Sequence, residues 1–132
     1  MTDENDVRER ILVVDDDQPV LELVEAMLHE EYDVDLAAEG DSALELCKKH
    51  QYQAIILDIA LPGRNGFQLM GDLRERAPAA KIIMITGLSL SEEDRRKALE
   101  VADALLTKPF DVEEMKDLLR KDLRLEHLPH GT

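Results

Sequence analysis

The absences in this sequence remove whole classes of function. One cysteine, Cys47, occurs in 132 residues. A disulfide within the chain and a cysteine-built zinc site are therefore excluded. A free cysteine packs as a small apolar group, and that is the role expected of Cys47. No apolar run approaches the roughly 18 residues of a membrane-spanning helix. The first six residues, Met1 to Asp6, lack the basic start and apolar middle of a signal peptide. The cytoplasm is the expected compartment, with no membrane partner. No glycine-rich loop follows the first apolar stretch, which disfavours a nucleotide-binding module. Basic residues are scarce, 16 against 30 acids, for a net charge of −14. Direct nucleic-acid binding needs a basic face and is not expected. His29 and His50 are scattered along the chain, and His127 and His130 fall near its end, so no histidine metal site is expected. Internal repeats and linkers are absent.

What is present is alternation. Hydrophobic residues make up 44% and charged residues 35%, a composition suited to one compact domain with its own core. Residues 10–14, 54–57, 81–85 and 104–106 are nearly continuous apolar runs, as expected of parallel strands covered on both faces. Residues 32–36 alternate instead, which predicts an edge strand with one wet face. Between them lie helical stripes. The first carries Val20, Val24, Met27 and Leu28, with Pro19 suited to its first turn. A second has Leu44 and Cys47 on one face. The stretch 66–76 carries Phe67, Met70 and Leu73 and stops before Pro78. Ser91, followed by three acids, predicts a capped helix start. Asp111 with Glu114 approximates a capping box, opening a helix that continues through Met115, Leu119 and Leu123. The expected fold class is α/β, five strands and five helices in a doubly wound parallel sheet. The domain is expected over 10–125, with an extended or disordered lead over 1–9 and a tail over 126–132. No residues are left over for a second domain, and the chain is expected to be either a stand-alone module or the N-terminal piece of a longer protein.

Ligands of such sheets bind beyond the C-terminal strand ends. Those ends carry Asp15-Asp16-Asp17, Asp58, Thr86-Gly87 and Thr107-Lys108-Pro109. Each has a plain structural reading, as a helix cap, a turn residue or a solvated side chain. Their joint occurrence at four strand ends is what outweighs those readings. Clustered carboxylates repel one another unless a cation intervenes. Mg²⁺ prefers a few carboxylates together with waters and phosphate oxygens. A carboxylate beside it can attack phosphorus, while a lysine and a hydroxyl stabilise the transferring group. This reasoning does not by itself choose the nucleophile among the acids.

The chain resembles the receiver domain of two-component response regulators over about residues 10–123. The matching stretches are Ile11 to Asp16, Ile56 to Gly66, Ile85-Thr86-Gly87 and Thr107 to Phe110. The resemblance implies a chemotaxis-regulator-like, flavodoxin-like sheet of strand order 2-1-3-4-5. It implies that Asp58 accepts a phosphoryl group from a histidine kinase or phosphotransfer protein. Asp15, Asp16, Asp58 and the Ala60 backbone carbonyl would hold Mg²⁺, with Mn²⁺ as an alternative ion. Thr86, Gly87 and Lys108 would contact the phosphoryl group, and the Lys108–Pro109 bond would be cis. Such a receiver is not a turnover enzyme, since it catalyses only its own phosphorylation and dephosphorylation. Its output would be a downstream protein or an output domain, with homodimerisation through the 91–123 face as a further expectation. By the same analogy Ala60 and Leu88 lie near the hydrolytic water path.

Two positions depart from the family pattern. The switch position, usually Tyr or Phe, is Leu105, so an aromatic swing cannot be the readout. Asn65-Gly66 replaces the commoner Asp-Gly. The helix near 91–102 offers only Ala98, Leu99, Val101 and Ala102 for burial, so the 86–120 face is where remodelling is expected. Two other readings compete. In an aspartate-dependent phosphohydrolase Asp15 would be the nucleophile, but Pro19 interrupts that motif. A non-phosphorylatable interaction module is opposed by the complete set Asp15, Asp16, Asp58, Thr86 and Lys108.

Overall fold

The computed structural model describes residues 8–58, 66–87 and 91–122. Five strands alternate with five helices: β1 (Arg10–Val14), α1 (Gln18–Leu28), β2 (Asp33–Ala37), α2 (Gly40–Lys49), β3 (Ala54–Asp58), α3 (Gly66–Arg76), β4 (Lys81–Thr86), α4 (Glu92–Val101), β5 (Ala104–Thr107) and α5 (Val112–Asp117). The strands form one parallel sheet of order β2-β1-β3-β4-β5. This is the doubly wound α/β fold that the alternation predicts.

The apolar runs are continuous because both faces of the sheet are covered. Ile11, Val13, Ala54, Ile56, Ile83 and Ile85 point to one side, where Leu21, Val24 and Leu28 of α1 and Met115 of α5 meet them. Leu12, Val14, Ile55, Leu57, Ile82 and Met84 point to the other, against Ala43, Leu69, Met70, Leu73 and Ala98 from α2, α3 and α4. Each fully buried Leu or Ile contributes about 1.5–3 kcal/mol relative to exposure. The central strands therefore form a rigid platform for whatever their ends carry.

The differences from the sequence reading lie at element ends. β2 begins at Asp33 rather than at residue 32. The Tyr32 N–H donates to the Leu28 carbonyl at 2.9 Å, so it closes α1 instead of joining the ladder. Thr107 lies inside β5, in register with Thr86. The last helix does not run on as α-helix: after Asp117 it widens into a π-helical turn over Leu118–Asp122. Leu123, the expected tail and most of the expected lead lie outside the described residues. Both helix starts are as predicted. The Ser91 side chain accepts from the Asp94 N–H, and Asp111 and Glu114 form a complete capping box.

Candidate functional site

Parallel alignment brings the C-terminal ends of all five strands to one edge. Val14 pairs with Leu57 and Asp58 with Ile85. Asp15, one residue past Val14, therefore comes level with Asp58 on the adjacent strand. Its N–H donates to the Ala37 carbonyl at 3.1 Å, extending the β1–β2 ladder by one rung. Thr86 ends β4 and is almost fully buried. The Lys108 N–H donates to the Thr86 carbonyl at 2.8 Å, which carries the lysine to the same edge. The Lys108–Pro109 bond is cis, as expected.

Three carboxylates meet there. Ligand oxygens of Asp15, Asp16 and Asp58 all lie within 4.8 Å of one another. Asp16 is exposed, Asp15 has no exposure and Asp58 retains 5%. The Lys108 ammonium donates to Asp58 Oδ2 at 2.9 Å and to Asp15 Oδ2 at 3.2 Å. The other Asp15 oxygen, Oδ1, accepts from the Asp17 N–H at 3.0 Å. Asp17 is the residue whose part was not legible in the sequence. It is the N-cap of α1, and its backbone rather than its side chain fixes Asp15. With both oxygens engaged and no exposure, Asp15 is a poor candidate for a nucleophile.

Burial pushes the Asp15 carboxyl above its ordinary range. The Asp17 hydrogen bond opposes that shift, the Asp58 charge adds to it and Lys108 opposes it. Burial also works to lower the Lys108 pKa. The hydrogen bond and charge of Asp58, together with Asp15, outweigh burial and hold the lysine above its usual value. Lys108 is thus charged at neutral pH, and among the described residues it is one cation facing three acids. That leaves an excess of hard oxygen donors at close range, a donor set that fits a small divalent cation.

The remaining expected residues divide. Gly87 is exposed beside the lysine stem, and a Cβ there would lie at an ordinary 3.8 Å from Lys108 Cβ and Cδ. Leu105 pairs with Met84 and packs, partly buried, against the core on the α2–α3–α4 side. Ala60, Asn65 and Leu88 lie outside the described residues, as do His127 and His130. His29 and His50 are both exposed.

Comparisons with known proteins bear on the family and the fold. The family described as "Response regulator receiver domain" matches residues 11–120. The transcriptional regulatory protein DltR of Streptococcus agalactiae is 36% identical over 121 residues, 90% of this chain and 54% of DltR. The chain thus spans about half the length of the curated relatives it matches. A CheY-like receiver domain protein from Methanospirillum hungatei JF-1 superposes with a TM-score of 0.83 at 30% identity, covering 89% of this chain and 94% of that one. The response regulator TrrA from Thermotoga maritima, in complex with Mg(2+)-BeF, gives 0.76 at 37% identity, covering 86% and 97%.

Proposed function

Because the chain belongs to the response regulator receiver domain family, we propose that its phosphoacceptor is Asp58. The observation that carries this is the contact of the Lys108 ammonium with Asp58 Oδ2 at 2.9 Å, at the mouth of a three-carboxylate cluster. One Asp58 oxygen attacks the phosphorus of a phosphohistidine on a histidine kinase or phosphotransfer protein. A P–O bond forms and the P–N bond breaks, leaving an acyl phosphate on Asp58; the donor's other ring nitrogen carries a proton, so the ring departs as a neutral imidazole. Lys108 is already charged and close enough to follow the incoming phosphoryl oxygens. Thr86, at the neighbouring strand end, would donate its hydroxyl to one of them, with Gly87 alongside. Asp15, Asp16 and Asp58, with the Ala60 carbonyl, would hold Mg²⁺ or Mn²⁺. A bound divalent ion supplies neutralisation of the charge that develops on the transferring group. The Asp17 N–H holds Asp15 in place within the cluster.

The receiver unit is read as residues 10–125. It acts in the cytoplasm, and among the described residues no helix is long and apolar enough to cross a membrane. Its output passes to a downstream protein or an attached output domain through the 86–120 face, which includes Leu105, and pairing of two receivers would use the 91–123 face. Support comes from α4, whose sole fully buried member is Ala98 and whose Leu99 is 45% exposed. The direct test incubates the protein with Mg²⁺ and acetyl phosphate or beryllofluoride. Wild type is expected to be modified and Asp58→Ala not. Modification that persists in the variant would refute the assignment.

A further inference from the structure

At the opposite end of the sheet, residues 47–53 and 76–80 line a half-open cavity of about 640 Å³. Its walls are the last turns of α2 and α3 and the segments leading into β3 and β4. The site at Asp58 lies about 17 Å away, the length of β3. The volume falls in the range of small-molecule sites, roughly 300–1,000 Å³.

Its charge runs against that of the molecule. Acids make up 30 of 132 residues, yet none of the twelve lining residues is an acid. Three are permanently cationic: Lys48 and Lys49 at the end of α2, and Arg76 at the end of α3. Basic residues complement helix C-termini on their own account. The additional feature is that two such ends converge on one concavity. Lys48 is partly engaged, since Glu45 lies 3.2 Å from its ammonium. Among the described residues, neither Lys49 nor Arg76 has a carboxylate within ion-pair distance.

Apart from the partial negative charge of the two helix ends, which Lys48, Lys49 and Arg76 offset, the other walls add no acid. The Tyr52 hydroxyl is occupied in donating to Asp35 at 2.7 Å, and Arg10 neutralises that carboxylate at 3.0 Å. Gln53 Oε1 accepts from the Arg10 N–H at 2.6 Å, and among the described residues its amide NH₂ has no acceptor. His50 meets Tyr52 edge-on with ring centroids 6.0 Å apart. Burial keeps the Cys47 thiol protonated, although the charge of Arg76 reaches it.

We propose that this cavity binds a small anion, a compact molecule bearing phosphate or carboxylate groups, held between Lys49 and Arg76 with Lys48 at the rim. The proposal is independent of the reading of Asp58.

The test follows backbone amides of the whole chain by ¹⁵N NMR in metal-free buffer. Inorganic pyrophosphate is titrated in one arm and citrate in the other, both at ionic strength matched with NaCl. Saturable shifts confined to 47–53 and 76–80 are expected in at least one arm, and the arm that saturates identifies phosphate or carboxylate chemistry. The double variant Lys49→Gln/Arg76→Gln is expected to bind about tenfold more weakly. Lys49→Glu should weaken binding in the same direction, and both side chains are exposed, so neither variant threatens the core. Shifts that follow ionic strength without saturating would overturn the proposal. So would binding that both variants retain, or shifts centred on Asp15, Asp58 and Lys108.

Discussion

Lys108 sits between two acids that would otherwise face each other across adjacent strands, and its 25% side-chain exposure leaves solvent only partial access. Truncating it removes the cation that Asp15 and Asp58 share. Lys108→Ala is expected to cost about 1–3 kcal/mol in metal-free buffer, read as a shift in urea midpoint. Added Mg²⁺ should recover part of that loss. Asp15 responds in the opposite sense. Its folded pKa lies above the ordinary 3.8, chiefly through burial. Below pH 3.8 both folded and unfolded states hold the proton. As pH rises, the unfolded chain ionises first, so stability falls through that window and remains lower above it. Asp15→Asn removes this loss. The variant should match wild type near pH 3.5 and exceed it at pH 7, both in EDTA. A wild type that is the more stable protein at pH 7 would sink this account. Such behaviour was only half legible in the chain. Asp15, Asp16, Asp58, Thr86 and Lys108 are visible as polar residues ending apolar runs, because each run marks a strand. Which oxygen of Asp15 is held by Asp17 and which by Lys108 depends on register, which a single chain does not display.

Helix α4 is fastened mainly at its start. Ser91 caps it, three acids occupy its first turn, and Ala98 alone of its residues is fully buried. Lys97 adds one contact, lying 6.0 Å from the Phe67 ring centroid and tying α4 to α3. With so little burial, the cap is a large share of what holds the helix. Ser91→Ala is expected to cost about 1 kcal/mol. The loss should appear as faster amide exchange over 92–98, with protection in β1 and β3 unchanged. The same weakness makes α4 the element a distant signal can move. Beryllofluoride with Mg²⁺ should alter exchange protection across 86–106, and unchanged protection there would remove α4 and β5 from the output path. Caps of this kind are local in sequence, so Ser91 and the Asp111–Glu114 box can be read from the chain. Contacts between distant segments cannot. Arg74 donates to Asp103 Oδ2 at 2.9 Å and to the Val101 carbonyl at 3.1 Å, clamping the end of α3 to the turn after α4. Asp35 gathers Tyr52 and Arg10 in the same way. Both look like solvated charges until the strands are paired. The π-helical turn after α5 is equally hidden, since Leu118 and Leu119 suit an α-helix as well.

Across the whole molecule, a net charge of −14 means that self-repulsion opposes the compact state. Any salt relieves part of it, because charges more than about 8 Å apart are screened at physiological ionic strength. A rise in melting temperature on adding Mg²⁺ is therefore not by itself a sign of a bound ion. The cluster at Asp15, Asp16 and Asp58 separates the two effects, since its oxygens lie within 4.8 Å of one another, too close for diffuse screening to relieve. A ligand that binds only the folded state stabilises it by about 2.7 kcal/mol at a hundred times its dissociation constant. MgCl₂ should consequently raise the melting temperature beyond NaCl at equal ionic strength. That excess should disappear in Asp16→Asn/Asp58→Asn, while the shared salt response persists. It should survive in Lys49→Gln/Arg76→Gln, whose changes lie at the other end of the sheet. If the two salts act equally on wild type, the acidic cluster is repulsive surface and the metal-dependent reading of Asp58 fails with it.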